Sequence, residues 1–245
     1  MWTRVAFALS LTACGPKTAP EPAPEPVSEP AAAVAPTILL DGVRTTVRWD
    51  DGDTFKVVTD DGSKGARARL AGFNTLESYG PVHRWGDWTA QELFALSKAG
   101  GELAEGQVWA CTTLPGGGGY GRDKVDCAGL RTALLEAGLA HLFAFDGTPL
   151  AADLEVQTAA MGAGAGMWAK GAPSVVVTSL HSLDEKPDQT ETYNRVADTA
   201  TGVARKVLHG ETYAPCQEVC VDDACMVYVP YKQRYGDSRA ACLRE

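Results

Sequence analysis

The 245-residue sequence contains no apolar run long enough to cross a bilayer, which takes about 20 residues as a helix. Its first such run, Val5 to Leu11, is far too short. Basic residues are scarce as well: 22 Lys and Arg stand against 31 Asp and Glu, a net charge of −9. The acid excess is spread along the chain, which argues against a protein that holds nucleic acid through a global positive field. Any such chemistry must rest on a local site. The cysteine-rich C-terminal region has no Cys-x-x-Cys pair, which counts against a thiolate zinc site and favours disulfides. The run Gly116-Gly117-Gly118-Gly119 lacks a Gly-Lys-Ser/Thr ending and a following helix, so it reads as a hairpin loop and not a phosphate loop.

What is present begins with an export signature. Arg4, the short apolar run and Leu11-Thr12-Ala13-Cys14 resemble a bacterial lipobox, in which Cys14 is lipid-modified and becomes the new N-terminus. Residues 1–14 are thus expected to be a lipoprotein signal peptide and Cys14 the membrane anchor. Residues 15–38 collapse to Pro, Ala and Glu and read as an extended tether. If Cys14 carries lipid, six of the seven cysteines remain, an even number suited to an oxidising compartment. Cys111 and Cys127 fall on two predicted neighbouring strands and can form one bridge. Cys216, Cys220, Cys225 and Cys242 can form two more, with connectivity open. The expected location is extracytoplasmic, lipid-anchored at the bacterial envelope, with secretion as the alternative.

The folded part reads as α+β. Thr45, Val47 and Trp49 alternate with polar residues as a half-buried strand. A second strand covers 53–59 before the Asp61-Gly62 turn, and a third covers 66–73. Residues 87–99 read as a helix stopped by Gly100-Gly101, 107–113 and 124–127 as paired strands, 130–138 and 150–161 as helices. Five strands with interleaved helices predict a five-stranded OB-like β-barrel over residues 39–171. Residues 172–245 form a Cys- and Tyr-rich extension, with a strand expected at 174–180 and helix within 194–209.

Four short elements carry the chemistry: Asp51-Gly52-Asp53-Thr54; Arg69 followed by Asn74-Thr75-Leu76-Glu77-Ser78; Tyr120-Gly121-Arg122-Asp123; and the helix from Leu130 running into Gly138-Leu139-Ala140, with Trp168 closing the region. Their order and spacing over residues 40–171 resemble the staphylococcal nuclease (thermonuclease) family. The residue types suit phosphodiester hydrolysis. Oxygens can hold a hard cation that polarises the phosphoryl group, and guanidinium forks match its oxygens. The resemblance implies Ca²⁺ as cofactor, held by Asp53, Asn74 and the Thr75 carbonyl. It implies Glu77 as general base, Arg69 and Arg122 as phosphate clamps, and an endonuclease acting on DNA or RNA with little sequence preference, leaving a 3′-phosphate.

The sequence departs from the family pattern at several points. Asn74 stands where an aspartate is usual, removing one negative charge from the ligand set, and weaker metal binding follows. Leu76 replaces a proline, Gly119 a lysine. Asp51 lies close enough in sequence to supply compensating charge. For substrate binding the resemblance points to Tyr120 and, in place of stacking tyrosines, Phe143 and Phe145. His83, His141, His181 and His209 are scattered and read as structural. The expected partners are nucleic acid and the membrane, with the chain a monomer. The alternatives are a module that binds nucleic acid without cutting it, favoured by Asn74, and an envelope lipoprotein using the barrel for protein contacts.

Overall fold

The structure is a computed structural model and describes residues 35–59, 61–145 and 147–244. The expected signal segment with Cys14, and all of the tether up to residue 34, lie outside the described residues. Strands β1 (Thr37–Leu40) and β2 (Val43–Trp49) form a hairpin around Asp41-Gly42, both at positive φ (51° and 83°), a conformation to which Asp-Gly turns are suited. β3 (Thr54–Val58) and β4 (Lys64–Leu70) continue the antiparallel meander. After Gly72, at φ +86°, the chain turns into the short β5 (Phe73–Thr75) and then β6 (His83–Trp85).

Helix α1 (Ala90–Glu105) is opened by a capping box, in which Thr89 Oγ1 accepts the Glu92 amide and Glu92 returns to the Thr89 amide. It starts later than expected and runs through Gly100-Gly101, its expected stop. At Gly100 the helix passes close to the loop before β3, which Gly52 permits: a Cβ on Gly52 would lie 2.9 Å from the Gly100 carbonyl oxygen. β7 (Trp109–Gly117) and β8 (Asp123–Asp126) flank the glycine loop, followed by α2 (Ala128–Glu136), β9 (Ala140–Leu142) and α3 (Ala151–Ala163).

The barrel closes in the order β1-β2-β3-β4-β8-β7. It therefore has six strands, not the expected five. The additional one is β1, which pairs parallel with β7 and buries Ile38 completely. Its four residues adjoin the proline-rich stretch, whose composition masked them, and it begins inside the segment read as tether. A buried Arg131 ties α2 to β8 and α3 through ion pairs with Asp126 and Asp153, the latter at 2.8 Å.

The C-terminal segment contains β10 (Val175–Ser179), β11 (Thr192–Asp198), β12 (Ala204–His209), β13 (Glu218–Val221) and β14 (Ala224–Val227). The helix expected within 194–209 is a β-hairpin. Asn194 and Val196 point to the core while Tyr193 and Arg195 alternate away, a period of two that the sequence reading missed. β14 pairs with β6, so this segment is woven into the same unit, residues 35–245. A second core, distinct from that of the barrel, joins Leu76, Val82, Trp85, Leu93 and Trp168 to Val175–Val177, Val196, Tyr228 and Leu243. Disulfides link Cys111–Cys127, Cys216–Cys242 and Cys220–Cys225. Glu218, Cys220 and Cys225 cluster, but both sulfurs are in a disulfide and offer no thiolate. Three disulfides are the chemistry of an oxidising, extracytoplasmic compartment. Among the described residues, no helix is long and apolar enough to cross a membrane.

Candidate functional site

The turn before β3 places Asp53, buried, at the end of the barrel. Its amide donates to Asp51 Oδ1 at 3.1 Å, the Asx geometry that makes Asp-Gly-Asp a rigid turn. Gly52 is required where it stands, because a Cβ there would lie 2.6 Å from Thr75 Cγ2. Asp53 Oδ2 accepts the Thr75 amide at 2.8 Å and the Thr75 hydroxyl at 3.3 Å, which fixes β5 against the turn. Asp53 Oδ1 accepts the Thr54 hydroxyl at 2.9 Å and the Arg69 guanidinium. The second fork of Arg69 donates to Asn74 Oδ1. Asp53, Arg69, Asn74 and Thr75, distant in sequence, thus form one hydrogen-bonded cluster at the end of β4 and β5.

Asp51 and Glu77 are half-buried beside this cluster. Burial pushes the Asp51 carboxyl well up, reinforced by the Asp53 charge. Burial likewise raises the Glu77 carboxyl, with Arg234 the strongest influence pulling it back down, and Asp53 and Arg69 acting in opposite senses. Both carboxyls therefore hold protons more tightly than exposed ones. Glu77 follows β5 on the loop to β6, and its amide donates to His83 Nε2 at 3.0 Å. His83 is buried and held neutral, its pKa pushed down to about 3 by burial. It positions Glu77. The sequence reading placed His83 among the structural residues, because nothing in its immediate neighbours marks the contact six residues away.

Arg122 comes from the glycine loop, where its guanidinium donates to the Gly118 and Gly119 carbonyls, both at 3.1 Å. Burial and the neighbouring Arg69 charge lower its pKa. It shares a field with Arg69, Asp53 and Asp51 but makes no hydrogen bond to the cluster. Tyr120, at φ +53°, is largely exposed at the loop tip with Arg122 5.8 Å from its ring. Phe143 and Phe145 stand apart from the cluster, their rings stacked at 6.2 Å and 14°.

No family model matches the sequence, and no curated protein matches it.

The surroundings of Glu77 include residues of the C-terminal segment, where the sequence offers Arg234 and Tyr235 as a nucleic-acid contact or part of a disulfide-pinned cap, not as neighbours of Glu77. The C-terminal segment brings Arg234 to within 4.6 Å of the Tyr79 ring, and Tyr235 edge-on to the same ring at 6.3 Å. The Tyr79 hydroxyl is buried without a hydrogen-bond partner, and burial raises its pKa, with the Glu77 charge adding to the rise. The neighbourhood of Glu77 is therefore built partly from residues beyond 171. Tyrosine and arginine adjacent at 234–235 were the available signal, but only tertiary contact makes it specific.

Proposed function

We propose that this chain is an extracytoplasmic phosphodiesterase of the thermonuclease kind, acting on DNA or RNA. The observation that carries the reading is the convergence of Asp53, Asn74, Thr75 and Arg69 in one cluster, with Glu77 and Arg122 beside it. Composition alone, with its net −9, would not suggest a nuclease.

The residues suit a hard cation. Asp53 and Asn74 offer oxygens only, and those oxygens already converge on one positive group, the Arg69 guanidinium. Ca²⁺ would be held by Asp53, Asn74 and the Thr75 carbonyl, and when bound it would supply Lewis-acid polarisation of the phosphoryl oxygen. Glu77 takes a proton from the attacking water, its raised pKa making it the stronger base and its aim set by His83. Arg122, fixed by the two loop carbonyls, presents its remaining N–H groups to a phosphate, and Arg69 does so once it lets go of Asn74 and Asp53. A raised carboxyl pKa places the acid limb of activity above the ordinary glutamate range. Cys14 would anchor the enzyme to the membrane surface.

The test is digestion of single-stranded DNA by the intact chain with Ca²⁺ and with chelator. Cleavage is expected only with Ca²⁺, reduced at least a hundredfold in Glu77→Gln and in Arg122→Ala. Asn74→Asp is expected to lower the Ca²⁺ concentration needed. Absent or metal-independent cleavage sinks the reading. A second reading, nucleic-acid binding without cleavage, is favoured by one observation: Arg69 is engaged by Asn74 and Asp53 and not free for phosphate. Tight binding with no turnover in any divalent metal would establish it.

A further inference from the structure

The sheet β10-β11-β12 has two unlike faces. One enters the second core through Val196 and its neighbours. The strand period and register put Tyr193, Arg195, Lys206 and Leu208 on the other, with Arg195 opposite Lys206 and Tyr193 opposite Leu208. Lys206 Nζ lies 4.5 Å from the Tyr193 ring centroid and 5.6 Å from that of Phe145. Lys186 Nζ lies 5.0 Å from the Tyr193 ring. Tyr193 thus holds two ammonium groups in place by cation–π attraction. Of the acids before β11, Asp184 accepts from Ser182, and Glu185 accepts the Tyr228 hydroxyl at 2.6 Å.

This face adjoins the Phe143–Phe145 segment at one end and approaches the Glu77 segment at the other. Ala144 donates to the Gly202 carbonyl at 2.9 Å and accepts the Ala204 amide at 2.8 Å, so the Phe143–Phe145 segment is stitched to the start of β12. Phe145, stacked on Phe143, is 40% exposed beside Lys206. At the other end Arg195 donates to Ser179 Oγ at 2.8 Å, at the end of β10, whose Val175–Val177 share the second core with Leu76, the residue before Glu77.

We propose that this face is a track for single-stranded nucleic acid leading to Glu77, with Arg195, Lys206 and Lys186 meeting successive phosphates and Phe145 stacking a base. The inference rests on the phosphodiesterase reading for where the strand leads. Three cations spaced around aromatic rings, on a chain of net −9, are the local basic patch that a single strand needs and the composition lacks. A single exposed leucine, Leu208, gives a lipid surface or a protein partner little to hold.

The experiment measures anisotropy of fluorescein-labelled oligothymidylates, a tetranucleotide and a dodecanucleotide, on the full chain carrying Glu77→Gln. The dodecamer is expected to bind more tightly. Lys206→Glu, at an exposed position, is expected to weaken the dodecamer about tenfold more than the tetramer, with Lys206→Arg restoring it. The slope of log affinity against log salt for the dodecamer should fall by about 0.7 for the lost phosphate contact. Equal binding of the two lengths, or Lys206→Glu leaving affinity and salt slope as they were, overturns the track. If the intact protein cuts nothing yet dodecamer binding depends on Lys206, the hydrolytic reading falls and the track stands. If it cuts and Lys206→Glu leaves the length dependence of KM untouched, the track falls and the hydrolytic reading stands.

Discussion

The barrel core and the second core are of similar substance but different parentage. Barrel side chains such as Ile38, Phe55, Leu70, Leu130 and Leu142 all lie between residues 37 and 143. The second core draws Leu76, Tyr79, Val82 and Trp85 from the stretch between β5 and the end of β6, Leu93 from α1, Ala160 from α3, Met167 and Trp168 from just after it, and the rest from β10 onward. The candidate site spans the boundary between them. Asp53, Asn74 and Thr75 are held by the barrel end, whereas Glu77 and its positioning partner His83 sit on the loop to β6 and on β6 itself, which the second core grips. Residues 172–245 are in physical terms no appended extension: the loop that carries Glu77 is finished by the C-terminal segment.

The largest expected effect comes from removing that segment. A chain ending at residue 171 would uncover Leu76, Tyr79, Val82, Trp85, Leu93, Met167 and Trp168 together. Burial of each is worth about 1.5–3 kcal/mol, and the sum reaches the whole stability of an ordinary domain, about 5–15 kcal/mol. The truncated protein should be aggregated or lack fixed tertiary structure, seen as lost near-ultraviolet circular dichroism and strong binding of a hydrophobic dye. A well-folded 35–171 fragment with an unchanged thermal midpoint would break the comparison.

A smaller effect is expected inside the barrel half. Arg131→Ala leaves Asp126 and Asp153 without their cation, and Asp153 is buried. Breaking a buried pair from one side costs about 3–5 kcal/mol, and partial exposure of Asp126 puts this case at about 3 kcal/mol. Denaturant titration checks the value. Arg131→Met should lose no less, since both acids stay in place, and Arg131→Met with Asp153→Leu should recover much of the loss.

The same division explains what the sequence disclosed. Strands with alternating polarity, such as Val47 and Trp49, and helices with local stop signals, such as α2 ending before Gly138 at φ +62°, are written in neighbouring residues. The cluster residues were legible because Asp53, Arg69, Asn74 and Thr75 fall in short motifs. β1 was hidden by the proline-rich composition beside it, although Asp41-Gly42 carried its turn signal. The run of α1 through Gly100-Gly101 was hidden because the local stop signal of two glycines is overridden by packing of the helix against the distant loop at Gly52. The β11–β12 hairpin and the placing of Arg195, Arg234 and Tyr235 around Glu77 depend on long-range packing, which no local pattern encodes.

The smallest effect tests the hinge between the halves, the bond from the Glu77 amide to His83 Nε2. With Nε2 accepting, the proton of the neutral ring is on Nδ1, which is buried without a partner. Burial holds the folded-state pKa down at about 3, against 6.5 for the free side chain. Below pH 6.5 the unfolded chain therefore takes up a proton that the folded protein refuses. Its stabilising contribution is complete above pH 6.5 and drains away as pH falls toward 3, on the order of 1 kcal/mol per pH unit. His83→Gln keeps an acceptor for the Glu77 amide and removes the titration. Between pH 6 and 4.5 the variant should lose stability less steeply than the parent, by about one proton in the slope of unfolding free energy against pH. Carboxylates elsewhere contribute to both proteins and cancel in the difference. Identical slopes would mean that the imidazole is not held neutral between Glu77 and the second core, and the loop would owe its position to the barrel alone.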